Sequence, residues 1–276
     1  MNKKYPRYNE IIFTEKQEKD IIDMYVTQRM PTTKIGKKYN VSYKTICRLL
    51  DRNNIPRTSL CRRKYGLDEE YFDNIDSQNK AYILGFLSAD GCNNMAKQTV
   101  SMALQEDDYS ILESIRIEMK SERPLEYIDY SNKHDFGYTY KNQYRLLLFS
   151  AHMCESLNRL GVTPSKSLSF RMPDINKNLY SHFIRGLFDG DGSINKTRSL
   201  VTITGTKYIC DKISEILKNE GIESHISDAS NNNGITKVLI ISKTYSVNKF
   251  LSYIYQDSNL KLKRKYDIYV SRYLNN

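Results

Sequence analysis

Two stretches constrain this chain more than anything else in it: Tyr82-Ile83-Leu84-Gly85-Phe86-Leu87-Ser88-Ala89-Asp90-Gly91 and Phe183-Ile184-Arg185-Gly186-Leu187-Phe188-Asp189-Gly190-Asp191-Gly192. Each reads as a mostly apolar helix that ends in a carboxylate followed by glycine. Small residues sit four apart in each, Gly85 and Ala89 in the first and Gly186 and Gly190 in the second. Positions i and i+4 share a helix face, so each helix carries a narrow stripe with almost no side chain. Such stripes let two backbones approach closely, a steric property best described for helices in membranes. If the two helices pair, Asp90 and Asp191 come together at one end of the pair.

The similarity continues downstream. Asp90 and Asp191 are 101 residues apart, and so are Val100 and Val201. Thr99–Leu104 and Leu200–Thr204 read as strands, and Tyr109–Met119 and Tyr208–Glu220 as helices. Leu125–Tyr130 with Tyr138–Phe149 reads as a hairpin across Ser131–Gly137, and Ile222–Ser227 with Thr236–Ile241 as its counterpart around Asn231-Asn232-Asn233-Gly234. Ala151–Leu160 and Val247–Tyr255 close the two repeats as helices. A loop, Val162–Asn176, is punctuated by Pro164 and Pro173. The expected fold class is therefore α+β: a pseudo-twofold, duplicated αββαββα saddle with one continuous antiparallel sheet beneath it. Residues 70–276 form this part, with repeat one at about 70–162, a connecting loop at 163–176 and repeat two at about 177–276. A short last helix, Arg264–Leu274, follows the basic run Lys261, Lys263, Arg264 and Lys265, which suits either phosphate contact or a solvated helix start.

The N-terminal part differs in kind. Residues 1–66 hold 16 Lys+Arg against 6 Asp+Glu, whereas the remaining residues balance, so this segment carries the whole net charge of +10. That is the footprint of a nucleic-acid-binding module; a solvated basic tail is the alternative. The pattern favours the module. Thr14 caps a helix over 14–29 with Ile21, Ile22, Tyr25 and Val26 on one face, and Pro31 ends it. A short helix, Lys34–Tyr39, follows, then a turn at Asn40-Val41 and a third helix capped by Ser42. A helix-turn-helix domain over 1–56 is predicted, with a small helical protein-binding bundle as the alternative. Ser42, Tyr43, Lys44, Thr45 and Arg48 lie on its outward side, suited to base edges and phosphates. Residues 57–69 read as a basic linker in which Arg57, Arg62 and Arg63 follow a phosphate backbone.

Other classes are excluded or disfavoured. No apolar run reaches the roughly 18 residues of a membrane span, and MNKKYPRYNE lacks a signal-peptide core. Cys47, Cys61, Cys92, Cys154 and Cys210 are odd in number and never spaced as CxxC, against both a disulfide framework and a structural zinc site. His134, His152, His182 and His225 show no ligand spacing. The expectation is an intracellular (cytoplasmic), DNA-associated protein of a prokaryotic or phage host, monomeric with an internal pseudo-dimer and without a membrane partner.

An aspartate at a helix C-terminus faces the negative end of the macrodipole, at a cost of about 0.3–1 kcal/mol. The cost is incurred twice, at equivalent positions. A divalent cation reverses its sign, because the carboxylates and the last-turn carbonyls of Ala89 and Gly190 are hard oxygen ligands suited to Mg²⁺ or Mn²⁺. Two such sites near a twofold axis suit metal-assisted phosphodiester hydrolysis, one per strand of a duplex. The alternative, two ordinary Asp-Gly turns, leaves the repetition unexplained.

Both stretches resemble the LAGLIDADG motif of homing endonucleases, and IRGLFDGDG is very close to it. The doubled motif resembles the single-chain, two-repeat members, over about residues 70–276, and the N-terminal helices resemble modules attached to some of them. The resemblance implies a saddle whose sheet lies in the major groove of a double-stranded DNA target, intron or intein homing, and Asp90 and Asp191 as the metal-binding catalytic carboxylates. It also implies a basic residue near the end of a late strand, matched by Lys243 after Val238–Ile241. Repeat one offers no lysine there, so that half has Lys166 or none. Ser88 replaces the motif's first Asp, which Asp189 keeps, a position read as structural. Candidate DNA-facing residues are Gln98, Thr99 and Ser101 in repeat one and Lys196, Arg198, Thr202 and Thr204 in repeat two. The rival functions are a non-cleaving DNA-binding regulator and an RNA-splicing maturase on the same scaffold.

Overall fold

The computed structural model describes residues 13–55, 57, 65–131, 134–135, 138–164, 170–229 and 236–274. The chain divides into two compact units, Met1–Gly66 and Leu67–Asn276.

Among its described residues the first unit has three helices, α1 (Glu15–Val26), α2 (Thr32–Lys38) and α3 (Tyr43–Arg52). Thr14 and Gln17 form a reciprocal capping box that satisfies two N-terminal donors of α1. Ser42 Oγ accepts from the Lys44 N–H at 3.1 Å and starts α3. Between α2 and α3 the chain turns at Asn40, whose φ of 53° is left-handed, a conformation asparagine tolerates. The turn folds back so closely that a Cβ on Gly36 would lie 2.8 Å from Val41 O. Ile21, Met24, Tyr25, Ile35, Ile46, Leu49 and Leu50 converge in its core.

The second unit carries the duplication. Repeat one runs α4 (Gln78–Asp90), β1 (Gly91–Asn94), β2 (Thr99–Gln105), α5 (Tyr109–Glu118), β3 (Glu126–Ile128), β4 (His134–Asp135), β5 (Tyr138–Thr139), β6 (Gln143–Phe149) and α6 (Ala151–Arg159). Repeat two runs α7 (Tyr180–Asp191), β7 (Gly192–Ile194), β8 (Val201–Thr206), α8 (Lys207–Asn219), β9 (His225–Asp228), β10 (Thr236–Ile241) and α9 (Thr244–Tyr255), and α10 (Lys263–Tyr269) follows. The strands make two antiparallel four-stranded sheets, β1-β2-β6-β3 and β7-β8-β10-β9. The expectation of one continuous sheet is thereby corrected. β1 and β7 each emerge directly from the end of a motif helix and become the edges of separate sheets. The predicted first hairpin is also interrupted: β4 and β5 pair only with each other, between β3 and β6.

Alternation gives each sheet two faces. Val100, Met102, Leu146 and Leu148 are buried in the first sheet, and Val201, Ile203, Leu239 and Ile241 in the second. The intervening residues point to the opposite, open face. In the ladders Ser101 lies opposite Leu147, and Thr202 opposite Ile240.

Helices α4 and α7 pack along their glycines. A Cβ on Gly85 would fall 2.1 Å from Phe183 O, and one on Gly186 would fall 2.1 Å from Tyr82 O and 2.6 Å from Phe86 N. Further along, a Cβ on Gly190 would fall 2.3 Å from the Ala89 methyl. The contacts repeat with the 101-residue offset of the sequence, so the helices are related by the expected pseudo-twofold. Ala81 through Ser88 are all buried, as suits a helix at the centre of a unit.

Candidate functional site

Asp90 and Asp191 are the last residues of α4 and α7, and both are exposed. The following glycines close the helices: the Gly91 N–H donates to Leu87 O and the Gly192 N–H to Phe188 O. Any side chain there would collide, since a Cβ would meet Leu87 O at 2.5 Å or the Phe188 ring at 2.3 Å. The two carboxylates sit at the same end of the helix pair. The position of a Cβ on Gly190 lies only 3.3 Å from Asp90 Oδ2, which sets that carboxylate against the last turn of α7.

The preceding motif position is built differently in the two repeats. Ser88 is buried and its Oγ donates to Leu84 O at 2.7 Å, within its own helix. Asp189 is buried and accepts from Tyr82 Oη at 2.9 Å, from the Leu262 N–H at 2.8 Å and from Tyr255 Oη at 3.5 Å. Burial pushes the Asp189 carboxyl up, opposed by the nearby Lys265 charge and the Leu262 N–H. One turn earlier Arg185 is fully buried. It donates to Leu260 O and Ile254 O, both at 2.9 Å, and lies over the Tyr82 ring at 5.0 Å.

Lys265 is the site residue that sequence reasoning missed. It is 3% exposed, and its Nζ donates to the carbonyls of Phe188 (2.5 Å), Asp189 (2.9 Å) and Gly192 (2.6 Å). All three ammonium donors are used, and a positive charge sits on the C-terminal end of α7, where the macrodipole favours it. Burial lowers its pKa to about 8, opposed by Asp189 first and also by Asp90 and Asp191. The only sequence signal was its place in a basic run.

Lys243 is not brought to the carboxylates. It follows β10, four residues past Leu239, which lies level with Gly192 across β8. At about 3.3 Å per residue that is about 13 Å along the strand, and two strands across. Its side chain is 68% exposed and pairs with Glu223 at 2.5 Å. Lys196 and Arg198 are exposed in the β7–β8 turn, whose carbonyls at Asn195, Thr197 and Arg198 accept from Arg272. Thr202 and Thr204 lie on the open face of the second sheet, where Thr202 Oγ1 meets Ser193 Oγ at 3.0 Å. Thr99 and Ser101 lie on that of the first sheet, and Gln98 turns into β2 with φ 52°. In the first unit Ser42, Tyr43, Lys44 and Arg48 are exposed along α3 and Thr45 is half-buried, while Arg57 pairs with Asp51 at 2.7 Å. Arg62, Arg63 and Lys166 lie outside the described residues.

Among the described residues no group of three or more His, Cys, Asp or Glu side chains is placed to hold a metal ion. The donor set at the helix ends is two exposed carboxylates with backbone carbonyls. Those hard oxygens fit a cation that keeps most of its waters, such as Mg²⁺ or Mn²⁺, and do not fit a closed protein cage. No helix among the described residues is long and apolar enough to cross a membrane.

Residues 178–255 match the family model of the LAGLIDADG-like domain. The match begins just before α7 and ends with α9, so it contains Asp191 and the whole second sheet. Among curated proteins the chain is 27% identical over 186 residues to the DNA-directed RNA polymerase subunit Rpo1C of Methanocaldococcus jannaschii, over 67% of this chain and 20% of that protein. The chain thus spans about a fifth of that relative. Among solved structures, full-length DUF199/WhiA from Thermatoga maritima is 19% identical with a TM-score of 0.45, covering 74% of this chain and 65% of that one, just under two thirds of its length. I-DmoI in complex with DNA and Ca is 18% identical with a TM-score of 0.44, covering 67% of this chain and 92% of that one.

Proposed function

We propose that this chain is a site-specific double-strand DNA endonuclease of the homing type. The observation that carries the reading is the delivery of two exposed aspartates, by packed pseudo-twofold helices, to one end of the pair at the roots of both sheets. The LAGLIDADG-like match over repeat two supports it. Asp90 and Asp191 hold the divalent metal, and the bound metal supplies an activated water and charge neutralisation at the phosphate. Lys265 fixes the backbone from Phe188 to Gly192 and so orients Asp191. The sheets' open faces take the duplex. In the first unit α3, with Tyr43 49% exposed beside Lys44 and Arg48, adds a second duplex contact as a helix-turn-helix.

One observation favours a second reading, a DNA-binding regulator that does not cut. Lys265 already compensates the end of α7, so the carboxylate there has a stabilising cation without metal. The test is incubation with DNA carrying the protein's own insertion locus, with and without Mg²⁺. The endonuclease yields linear product only with metal, and Asp90→Asn or Asp191→Asn abolishes double-strand cleavage. Undiminished cutting by the double variant rejects the mechanism, and specific binding without cutting selects the regulator.

A further inference from the structure

The open faces of the two sheets set apolar residues among polar ones. Ala103, Leu147 and Phe149 in the first, and Val238 and Ile240 in the second, alternate with core residues and are only partly buried. None of the five is among the side chains packed against the hydrophobic core of the described residues. Leu147 and Ile240 occupy equivalent places. Leu147 lies opposite Ser101, which lies opposite Cys92; Ile240 lies opposite Thr202, which lies opposite Ser193. Ser101 and Thr202 differ by the 101 residues that relate Asp90 to Asp191. Each row therefore crosses its sheet one residue beyond the glycine that follows a motif aspartate.

The surroundings suit a polyanion. Glu126, on the same face, is engaged by Arg123 at 2.5 Å and by Arg145 at 2.6 Å, and the Arg123 guanidinium lies 5.1 Å from the Phe149 ring. Lys196 and Arg198 are exposed at the tip of the second sheet. An aliphatic side chain at a major-groove surface has one base feature to recognise, the C5-methyl of thymine.

We infer that Leu147 and Ile240 are specificity-determining residues that each contact a thymine methyl, so the preferred duplex carries a thymine in each half, symmetric about the pseudo-twofold. The inference rests on the open faces being the duplex surface. The closing experiment selects binders to the full chain from a random-sequence duplex pool in Ca²⁺, then replaces single thymines by uracil, which removes only the methyl. One thymine in each half is expected to lose about fourfold in affinity on replacement, the effect of one buried methyl. Ile240→Ser, which keeps no side-chain methyl, is expected to erase the thymine–uracil difference in its half while binding the uracil duplex as the parent does, which also shows that the variant is folded. Selection of a duplex indifferent to uracil overturns the inference and leaves the proposed function standing, as does a difference that survives Ile240→Ser. If no duplex is enriched, both fall. Self-association of the chain through these faces, seen as a dimer that DNA does not displace, also overturns it.

Discussion

Gly186→Ala tests the geometry on which the site depends. Considered alone, the change favours the helix, since alanine is better than glycine in a helix interior by about 1 kcal/mol. Here the new methyl would lie 2.1 Å from Tyr82 O and 2.6 Å from Phe86 N, and both obstacles are backbone. Non-bonded carbon contacts settle at about 3.5–4.0 Å, so α4 and α7 must part by about 1 Å or more. Overpacking in a close-packed core costs about 1–3 kcal/mol, and opening a helix interface that is buried along its length belongs at the upper end. A net loss of about 2 kcal/mol follows after the helical gain. The control is Gly205→Ala, whose Cβ meets Ile209 Cγ2 at an ordinary 3.5 Å and is expected to stay within about 1 kcal/mol of the parent. Urea unfolding followed by circular dichroism reads both, because the chain has no tryptophan. A Gly186→Ala variant as stable as Gly205→Ala would refute the close approach of the helices.

Two further outcomes concern the charges around α7. Lys265→Met leaves three carbonyl acceptors without their shared donor and is expected to cost about 3 kcal/mol in the same urea assay, the scale of a broken buried charge pair. His182 donates the pH dependence. Burial, then the Arg185 charge, lowers its pKa from 6.5 to about 4, and its Nδ1 lies 2.7 Å from Arg185 Nη1. The unfolded chain binds this proton more readily than the native one, so the contribution is complete above pH 6.5 and lost as pH falls toward 4. The full shift corresponds to about 3 kcal/mol, reduced to about 1–2 by partial exposure. Urea midpoints should fall across that window in the parent and stay flat there in His182→Gln.

The repeat itself was legible in the sequence because helix pairing by small residues and strand alternation are local patterns. α4 ends at Asp90 and α7 at Asp191, where the Asp-Gly pairs put them, and Thr14 and Ser42 cap the helices they were read to start. The division of the sheet was not legible. Strand periodicity says which residues alternate, not whether two edge strands exchange hydrogen bonds. Lys243 was matched by its place after a strand, but the ladder register, fixed by pairing across three strands, sets it at the far end. Lys265 was hidden for a different reason. Within a run of four basic residues nothing local distinguishes the one that turns inward, and its burial depends on carbonyls more than seventy residues away.

The segment around Leu260–Lys265 has a kinetic consequence. Asp189 needs Tyr82, 107 residues upstream, and the Leu262 amide, 73 downstream; Arg185 needs Leu260 O, 75 downstream. A helix completed from both directions across such distances raises contact order and slows folding. Any intermediate in which α7 has met α4 but not this segment holds a guanidinium and a carboxylate in a closing core without their partners. That state is high in free energy, which couples docking of the segment to pairing of the helices. The fixed spacing of the two aspartates therefore depends on a segment more than seventy residues beyond the α7 side chains it holds.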